Sequence, residues 1–435
     1  MQNDRLMGFL KGGEIMSIHD YISFNSNEEY ERSIFQFVQM AGGMTIKDAK
    51  QHLDQVIDRT FSKNRFLTYK CSSRNRSGNT LYAFDTGFRF QHGQERIFAY
   101  TLKNTRRDEE NPKAYYGLFM ERETMLRDTV RSRTSRWHIG DIVFDSIEDM
   151  NALLSRLAEE ALYENWTFSN YTSKVSHPIL KNYLENTYFQ LVHQRKTFVN
   201  EEEEKLLFNT GLIDASFNEL FLVCDIVKDS AKDALFRQEY RNPEIYKSSN
   251  RVFCNYSRNA PLPVATFYEN PGDLLFNWET AQRPGGINIA DEHIFIDNMK
   301  RINDGLRDPS VKFNFENSQD VARCRQMFEG ALKASLELSK RNYKLVAPQF
   351  WPATGKLQFL MPIYLEGVQE IRKGEYKEVL PPTVALSIEL VHGQYIGTTI
   401  LTLDMAYQNA RLIARPDGFW LDATKIFAQK ADDGR

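Results

Sequence analysis

The chain has 435 residues, 42% of them hydrophobic and 26% charged. That is the balance of a globular protein with room for two or three domains and a sizeable core. Its 55 Lys and Arg against 58 Asp and Glu leave a formal charge of −3, which excludes a chain that binds polyanions over its whole surface.

The charge is unevenly spread. Thr60 to Arg136 holds 16 Lys and Arg against 8 Asp and Glu, a local +8, which leaves −11 for the rest. A basic face for nucleic acid or an anionic ligand is one reading, and a solvated surface is the other. The four cysteines (Cys71, Cys224, Cys254, Cys324) lie far apart and at no metal-site spacing. Reduced thiols and a cytoplasmic location are expected, with no metal site. No run of roughly 18 apolar residues is present, so no membrane span is expected.

Residues 1–16 lack the apolar core of a secretory signal and read as a disordered leader or an upstream start ahead of Met16. Residues 17–140 read as a smaller, basic α+β domain. Thr45 is placed to cap a helix carrying Ala49, Leu53, Val56 and Ile57. CSSRNRSGN at 71–79 has turn chemistry. Helices followed by a basic hairpin resemble a winged-helix module, with Arg74 and Arg76 at its tip facing phosphates. ERETMLRDTVRSRTSR reads as a charged helix, and the domain boundary is expected near 137–145.

Residues 141–435 read as a second α+β domain. Ser146 caps a helix with Met150, Leu153, Leu154, Leu157, Ala161 and Leu162 on its stripe. Ser176-His177-Pro178 opens another, with Pro178 near the first helical position. His177, Lys181 and Asn182 gather at its start, where unpaired N–H groups favour an anion. Glu201 to Glu204 reads as a solvated first turn, and Phe208-Asn209-Thr210-Gly211 as a turn into the strand 220–227. FDTGFRFQHGQERIFAYTLKN at 84–104 echoes FNTGLIDASFNELFLVCDIVKD at 208–229. Duplication and chance both fit so short an echo.

Asp291 to Arg301 reads as one helix with His293, Asp297 and Arg301 on one face and Asn298 adjacent. Ser318 caps a long helix to Lys340. Gln349 to Leu365 is strand, with Pro362 marking an edge or a bulge. Lys356 and Gln358 point toward the cluster that follows. Leu386, Ile388 and Leu390 alternate with Ser387 and Glu389, the period of a half-buried strand. His392-Gly393-Gln394 turns it into a β-branched partner strand, an antiparallel hairpin. Asp404, Gln408, Asn409, Arg411, Arg415 and Asp417 then crowd into fourteen positions as a polar knot.

That hairpin with LTLDMAYQNARLIARPD resembles the C-terminal end of the DUF3825 family, a domain of unknown function. HPILKNYL, FNTGL, HIFIDNMKR and LQFLMPIYL agree with it in order, over roughly 145–425. The resemblance implies no established reaction. Relatives that carry cold-shock and winged-helix modules imply an association with RNA.

The fold expected is α+β, an antiparallel or mixed sheet with flanking helices plus the smaller N-terminal domain. The site expected is a composite cleft for RNA or a nucleotide. His293 and Asp404 are its candidate catalytic groups. Lys181, Asn182, Asn298, Arg301, Asn409, Arg411 and Arg415 are its phosphate- and base-binding groups. Phosphotransfer or hydrolysis is the reaction class, and a non-catalytic adaptor with a basic N-terminal region is the alternative. The sequence names no cofactor and no oligomeric state. On the first reading, Arg411→Ala and His293→Ala abolish binding or turnover and leave the melting temperature unchanged. In the bland alternative, Asp404–Arg411 and Arg415–Asp417 are local salt bridges and Asn409 caps a turn.

Overall fold

The structure, a computed structural model, describes residues 16–70, 80–91, 95–104, 113–133, 137–169, 171–227, 239–257, 261–283, 286–290, 294–295, 298–314, 317–373, 376–416 and 420–427. The fold is α+β, with mixed sheets and flanking helices. Among the described residues, backbone contacts form two units, residues 16–133 and residues 137–427.

The first unit holds α1 (Ile18–Tyr21), β1 (Ile22–Ser23), α2 (Asn27–Ala41), α3 (Ile46–Ser62), β2 (Leu67–Lys70), β3 (Thr80–Arg89), β4 (Arg96–Lys103), β5 (Tyr115–Arg122) and α4 (Glu123–Arg133). Thr45 Oγ1 accepts the Asp48 N–H at 3.2 Å, the cap expected for α3. The sheet order is β1-β5-β4-β3-β2, with β1 parallel to β5 and the others antiparallel. Ile34, Phe37, Leu53 and Ile57 pack on one face against Phe84, Ala99, Leu118 and Met120. Leu126 and Val130 of α4 cover the other, against Leu81, Phe98 and Tyr100. A five-stranded sheet closed on both faces stands where a winged helix was expected. Arg74 and Arg76 lie outside the described residues, as do residues 1–15.

The second unit opens with β6 (Trp137–Ile139), β7 (Ile142–Phe144), α5 (Ile147–Glu160), α6 (Pro178–His193), β8 (Phe198–Asn200), β9 (Lys205–Ile213), β10 (Glu219–Ile226), β11 (Tyr240–Lys247) and α7 (Arg251–Ser257). Its sheet order is β6-β7-β11-β10-β9-β8, with β7 parallel to β11. Ser146 Oγ caps α5 by accepting the Asp149 N–H at 3.1 Å. The helix stops at Glu160, which leaves Leu162 exposed instead of on the stripe. Glu201 to Glu204 form the turn between β8 and β9, not a helix start, and Phe208 to Gly211 lie inside β9.

A third sheet completes the unit. After α8 (Trp278–Ala281) the chain runs through β12 (Asn288–Ile289), α9 (Met299–Gly305), α10 (Ser318–Ser339), β13 (Ala347–Trp351) and β14 (Lys356–Ile363). The small hairpin of β15 (Glu370–Lys373) and β16 (Tyr376–Val379) precedes β17 (Val384–Val391), β18 (Gln394–Leu401) and α11 (Leu403–Arg411). The order is β12-β18-β17-β14-β13, with β12 parallel to β18. Ile302, Phe328 and Leu332 pack on one face against Phe359, Met361, Leu386 and Ile388. β14 is an interior strand, but β13 pairs it only as far as Leu360, so Pro362 has a strand neighbour on one side only.

Two expectations change here. α9 begins at Met299 instead of running on from Asp291 as one regular helix, and His293 and Asp297 lie outside the described residues. The polar knot after β18 is a helix, because Ala406, Tyr407 and Ala410 recur at helical spacing and bury, with Leu403 half-buried one turn before them.

Candidate functional site

α11 brings the polar residues of its sequence into two separate places. On its buried side, Arg411 makes a two-pronged ion pair with Glu164. Nε lies 2.5 Å from Oε1 and Nη2 2.8 Å from Oε2. The guanidinium carbon sits 4.4 Å from the Tyr183 ring centre and 4.9 Å from that of Trp166. Burial opposes the charge, but the Glu164 carboxylate outweighs it and holds the Arg411 pKa above its ordinary value. The Tyr183 phenol is raised, chiefly by burial. Its hydroxyl stands over Gly211, where a methyl group would approach to 2.5 Å and where φ is +76°. Glycine is required there on both counts. HPILKNYL, FNTGL and the α11 sequence therefore meet around Tyr183. They meet as a packed ion pair, and the fork expected to grip a phosphate is filled by Glu164.

Lys181 comes to the same neighbourhood. Its Nζ lies 2.9 Å from Glu185 Oε2 one helical turn on, and Glu185 also accepts from the Gly140 N–H. The Tyr171 phenol is raised by burial, with Lys181 pulling it down and Asp404 pushing it up, so these two charges share one locality. Asp404 accepts from the Thr402 hydroxyl at the start of α11. The His177 imidazole is held below its ordinary pKa by burial, and its Nδ1 meets Ser176 Oγ at 2.9 Å. Asn182 accepts from Asn186 at 3.2 Å.

Asn298 and Arg301 sit elsewhere, against the end of β18. Asn298 Nδ2 lies 3.5 Å from Thr399 Oγ1, and Arg301 Nη1 donates to the Ile400 carbonyl at 2.6 Å. His293 and Asp417 lie outside the described residues. Among the described residues, no group of three His, Cys, Asp or Glu is placed to hold a metal ion.

The expected convergence of Lys356, Gln358 and α11 takes the form of a hydrogen-bond chain. Lys356 Nζ meets Glu389 Oε1 at 2.8 Å, and Gln358 Nε2 donates to Glu389 Oε2 at 3.1 Å. Gln349 Nε2 donates to Gln358 Oε1 and Ser387 Oγ, and Ser387 in turn donates to Gln358. Asn409 Nδ2 closes the chain on Gln349 Oε1 at 3.0 Å. Gln349, Gln358, Ser387 and Glu389 are all buried. β17 is thus buried on both faces, its alternate polar side chains facing one another under α11 instead of water.

Past the end of α11 the surface opens. A groove of about 320 Å³ runs between Leu274, Leu275, Tyr343, Lys344, Pro348 and Trp420, with Arg415 on its wall. Tyr343 is 70% exposed. Arg415 Nη1 donates to the Tyr163 carbonyl at 3.2 Å, and the Tyr163 side chain is 84% exposed. Tyr163, Glu164, Trp166 and Tyr343 carry no motif, and sequence reasoning passed over them. The one signal available was a lone cation, Arg411, on the apolar face of α11, which requires a buried counter-ion.

The sequence matches the model of DUF3825, a domain of unknown function, over residues 157–420. The chain belongs to the DUF3825 family. The DUF3825 match takes in the Arg411–Glu164 pair, the polar chain and Arg415, and leaves the first unit outside it. No curated protein and no solved structure matches the chain. No described helix is long and apolar enough to cross a membrane.

Proposed function

We propose that the second unit binds RNA or a nucleotide at the groove beside Arg415. The observation that carries the reading is the pairing of an exposed aromatic, Tyr343, with the cations Arg415 and Lys344 around one groove. A base has a π face that stacks on such a ring, and the cations meet its phosphates. The groove's volume lies near the lower end of the range for small-ligand sites. Tyr163 extends the aromatic surface on the far side of Arg415. Binding without turnover is favoured, because two cations that a phosphotransfer site would use, Lys181 and Arg411, are held by Glu185 and Glu164.

The test is fluorescence anisotropy of the full chain with a labelled single-stranded oligoribonucleotide, with competition by mononucleotides. Tyr343→Ala and Arg415→Ala should each weaken binding roughly tenfold and leave the melting temperature in place. Affinity unchanged in both variants, or no binding by the full chain, would overturn the reading. Competition by a mononucleotide at micromolar concentration would assign the groove to a nucleotide in preference to an RNA strand.

A further inference from the structure

We infer that the chain is three tandem copies of one β-α-α-β-β-β-β module, each closed by a helix on its second face. The copies are β1 to α4, β7 to α7, and β12 to α11. In every copy the first strand lies parallel to the last, and the sheet order from there is last, third, second, first of the four-stranded meander. β15 and β16 are an insertion in the third copy.

The registers coincide. Ile22 is opposite Tyr115, Ile142 is opposite Tyr240, and Asn288 is opposite Ile396. Just beyond that pairing, the last strand carries extra length relative to its antiparallel neighbour in all three copies. The irregularities fall opposite Tyr100 to Leu102, Val223 to Asp225, and Ser387 to Ile388. Bulges at one position in three sheets are not demanded by the topology.

The first two copies also agree in side chains. Ile22-x-Phe24-Asn25-Ser26-x-Glu28-Glu29 matches Ile142-x-Phe144-Asp145-Ser146-x-Glu148-Asp149 without a gap. Both serines cap their helix. Asn25 bonds the Tyr116 hydroxyl and Asp145 bonds Arg241, at matching positions of the last strand. Tyr30, Ser33, Ile34 and Phe37 bury at the same spacing as Met150, Leu153, Leu154 and Leu157.

The Thr-Gly echo is the clearest case. Thr86 Oγ1 donates to the Ile97 carbonyl at 2.7 Å, and Thr210 Oγ1 to the Leu220 carbonyl at 2.7 Å. The Gly87 N–H meets Asp85 Oδ1 at 2.8 Å, and the Gly211 N–H meets Asn209 Oδ1 at 2.9 Å. Both glycines have positive φ, +80° and +76°.

The third copy has diverged further but keeps one strut. Gln36 Nε2 of α2 donates to the Met120 carbonyl of β5, and Arg301 of α9 donates to the Ile400 carbonyl of β18. Met120 and Ile400 stand one residue beyond Phe119 and Thr399, the residues that close the two bulges. Arg301 therefore ties a helix to a strand end. The first unit is then a copy of the family's own module, and the family match begins inside the second copy.

In the first two copies the closing helix covers an apolar face, with Phe98, Tyr100 and Leu126 in one and Phe221, Val223 and Phe253 in the other. Only the third replaces that face by the chain from Lys356 to Asn409. Its closing helix is the one that leads to Arg415.

The test transplants copy-two residues into copy one of the full chain. Residues 22–29 become IVFDSIED and 84–89 become FNTGLI, and a control carries the first segment one position out of register. The in-register graft should keep Tm within about 5 °C of the parent, and the control should lose far more. Equal losses in both would overturn the equivalence of the first two copies. For the third, Arg301→Gln should keep Tm within about 5 °C and Arg301→Ala should lower it further. Arg301→Gln falling as far as Arg301→Ala would remove the third copy from the series.

Discussion

Arg411 and Arg415 lie four positions apart, and their surroundings give them opposite roles. Arg411 is buried with its fork on Glu164, so truncation leaves a carboxylate without its partner in a low-dielectric site. Arg411→Ala should cost about 3–5 kcal/mol of stability, read from the urea midpoint. This reverses the expectation from sequence, in which the same substitution removes binding and spares the fold. Arg415 is exposed, and its removal should leave the urea midpoint unchanged. Asp214 supplies a pH-dependent contribution. It accepts from the Ser216 and Asn218 N–H groups and the Asn218 side chain, and it pairs with Lys247, which together hold its carboxyl well below the usual range. A depressed pKa stabilises the fold above the unfolded value, about 4, and that stability is lost as pH falls through the folded value. Asp214→Asn should therefore narrow the gap between urea midpoints measured at neutral pH and near pH 2.

Among elements, β17 shows how far periodicity carries. Alternation of Leu386, Ile388 and Leu390 with Ser387 and Glu389 gave the strand correctly, but of its apolar positions only Leu386 and Ile388 bury, and Leu390 near the strand's end is exposed. The alternation gave the wrong environment for the polar face, because Gln349, Gln358 and Asn409 bring matching donors and acceptors from 29 to 38 residues before Ser387 or from a later helix. Once paired, these groups tolerate burial. Gln358→Leu should cost about 1–3 kcal/mol, because it strips partners from Ser387, Gln349 and Glu389 together. An unchanged urea midpoint would mean that the chain is not held as described. The Arg415 groove offers a second readout for the same variant, since loosened packing of α11 should also weaken oligonucleotide binding.

For the whole molecule, charge distribution makes its own prediction. If RNA is bound through cations, log affinity should fall linearly with log salt, and Arg415→Ala should reduce the slope by about 0.7 for one lost phosphate contact on a single strand. A slope identical to that of the parent would place Arg415 away from any phosphate. If the basic stretch between Thr60 and Arg136 also meets phosphates, it adds to that slope, and a variant with Lys63, Arg65 and Lys70 changed to Ser separates its share from the groove's.

The sequence by itself determined the α+β class, the caps at Thr45 and Ser146, the β17–β18 hairpin and the family. All of these rest on local chemistry or on linear order, which a sequence states directly. It also held the repeat, in the Thr-Gly echo and in an ungapped match between 22–29 and 142–149. Eight residues weigh little until the pairing of distant strands shows that they occupy one position in one fold. Only the tertiary structure decided which polar residues are open. Whether an arginine is a strut or a ligand depends on what another segment brings to it. Glu164 is 247 residues from Arg411 along the chain, and no local rule relates the two.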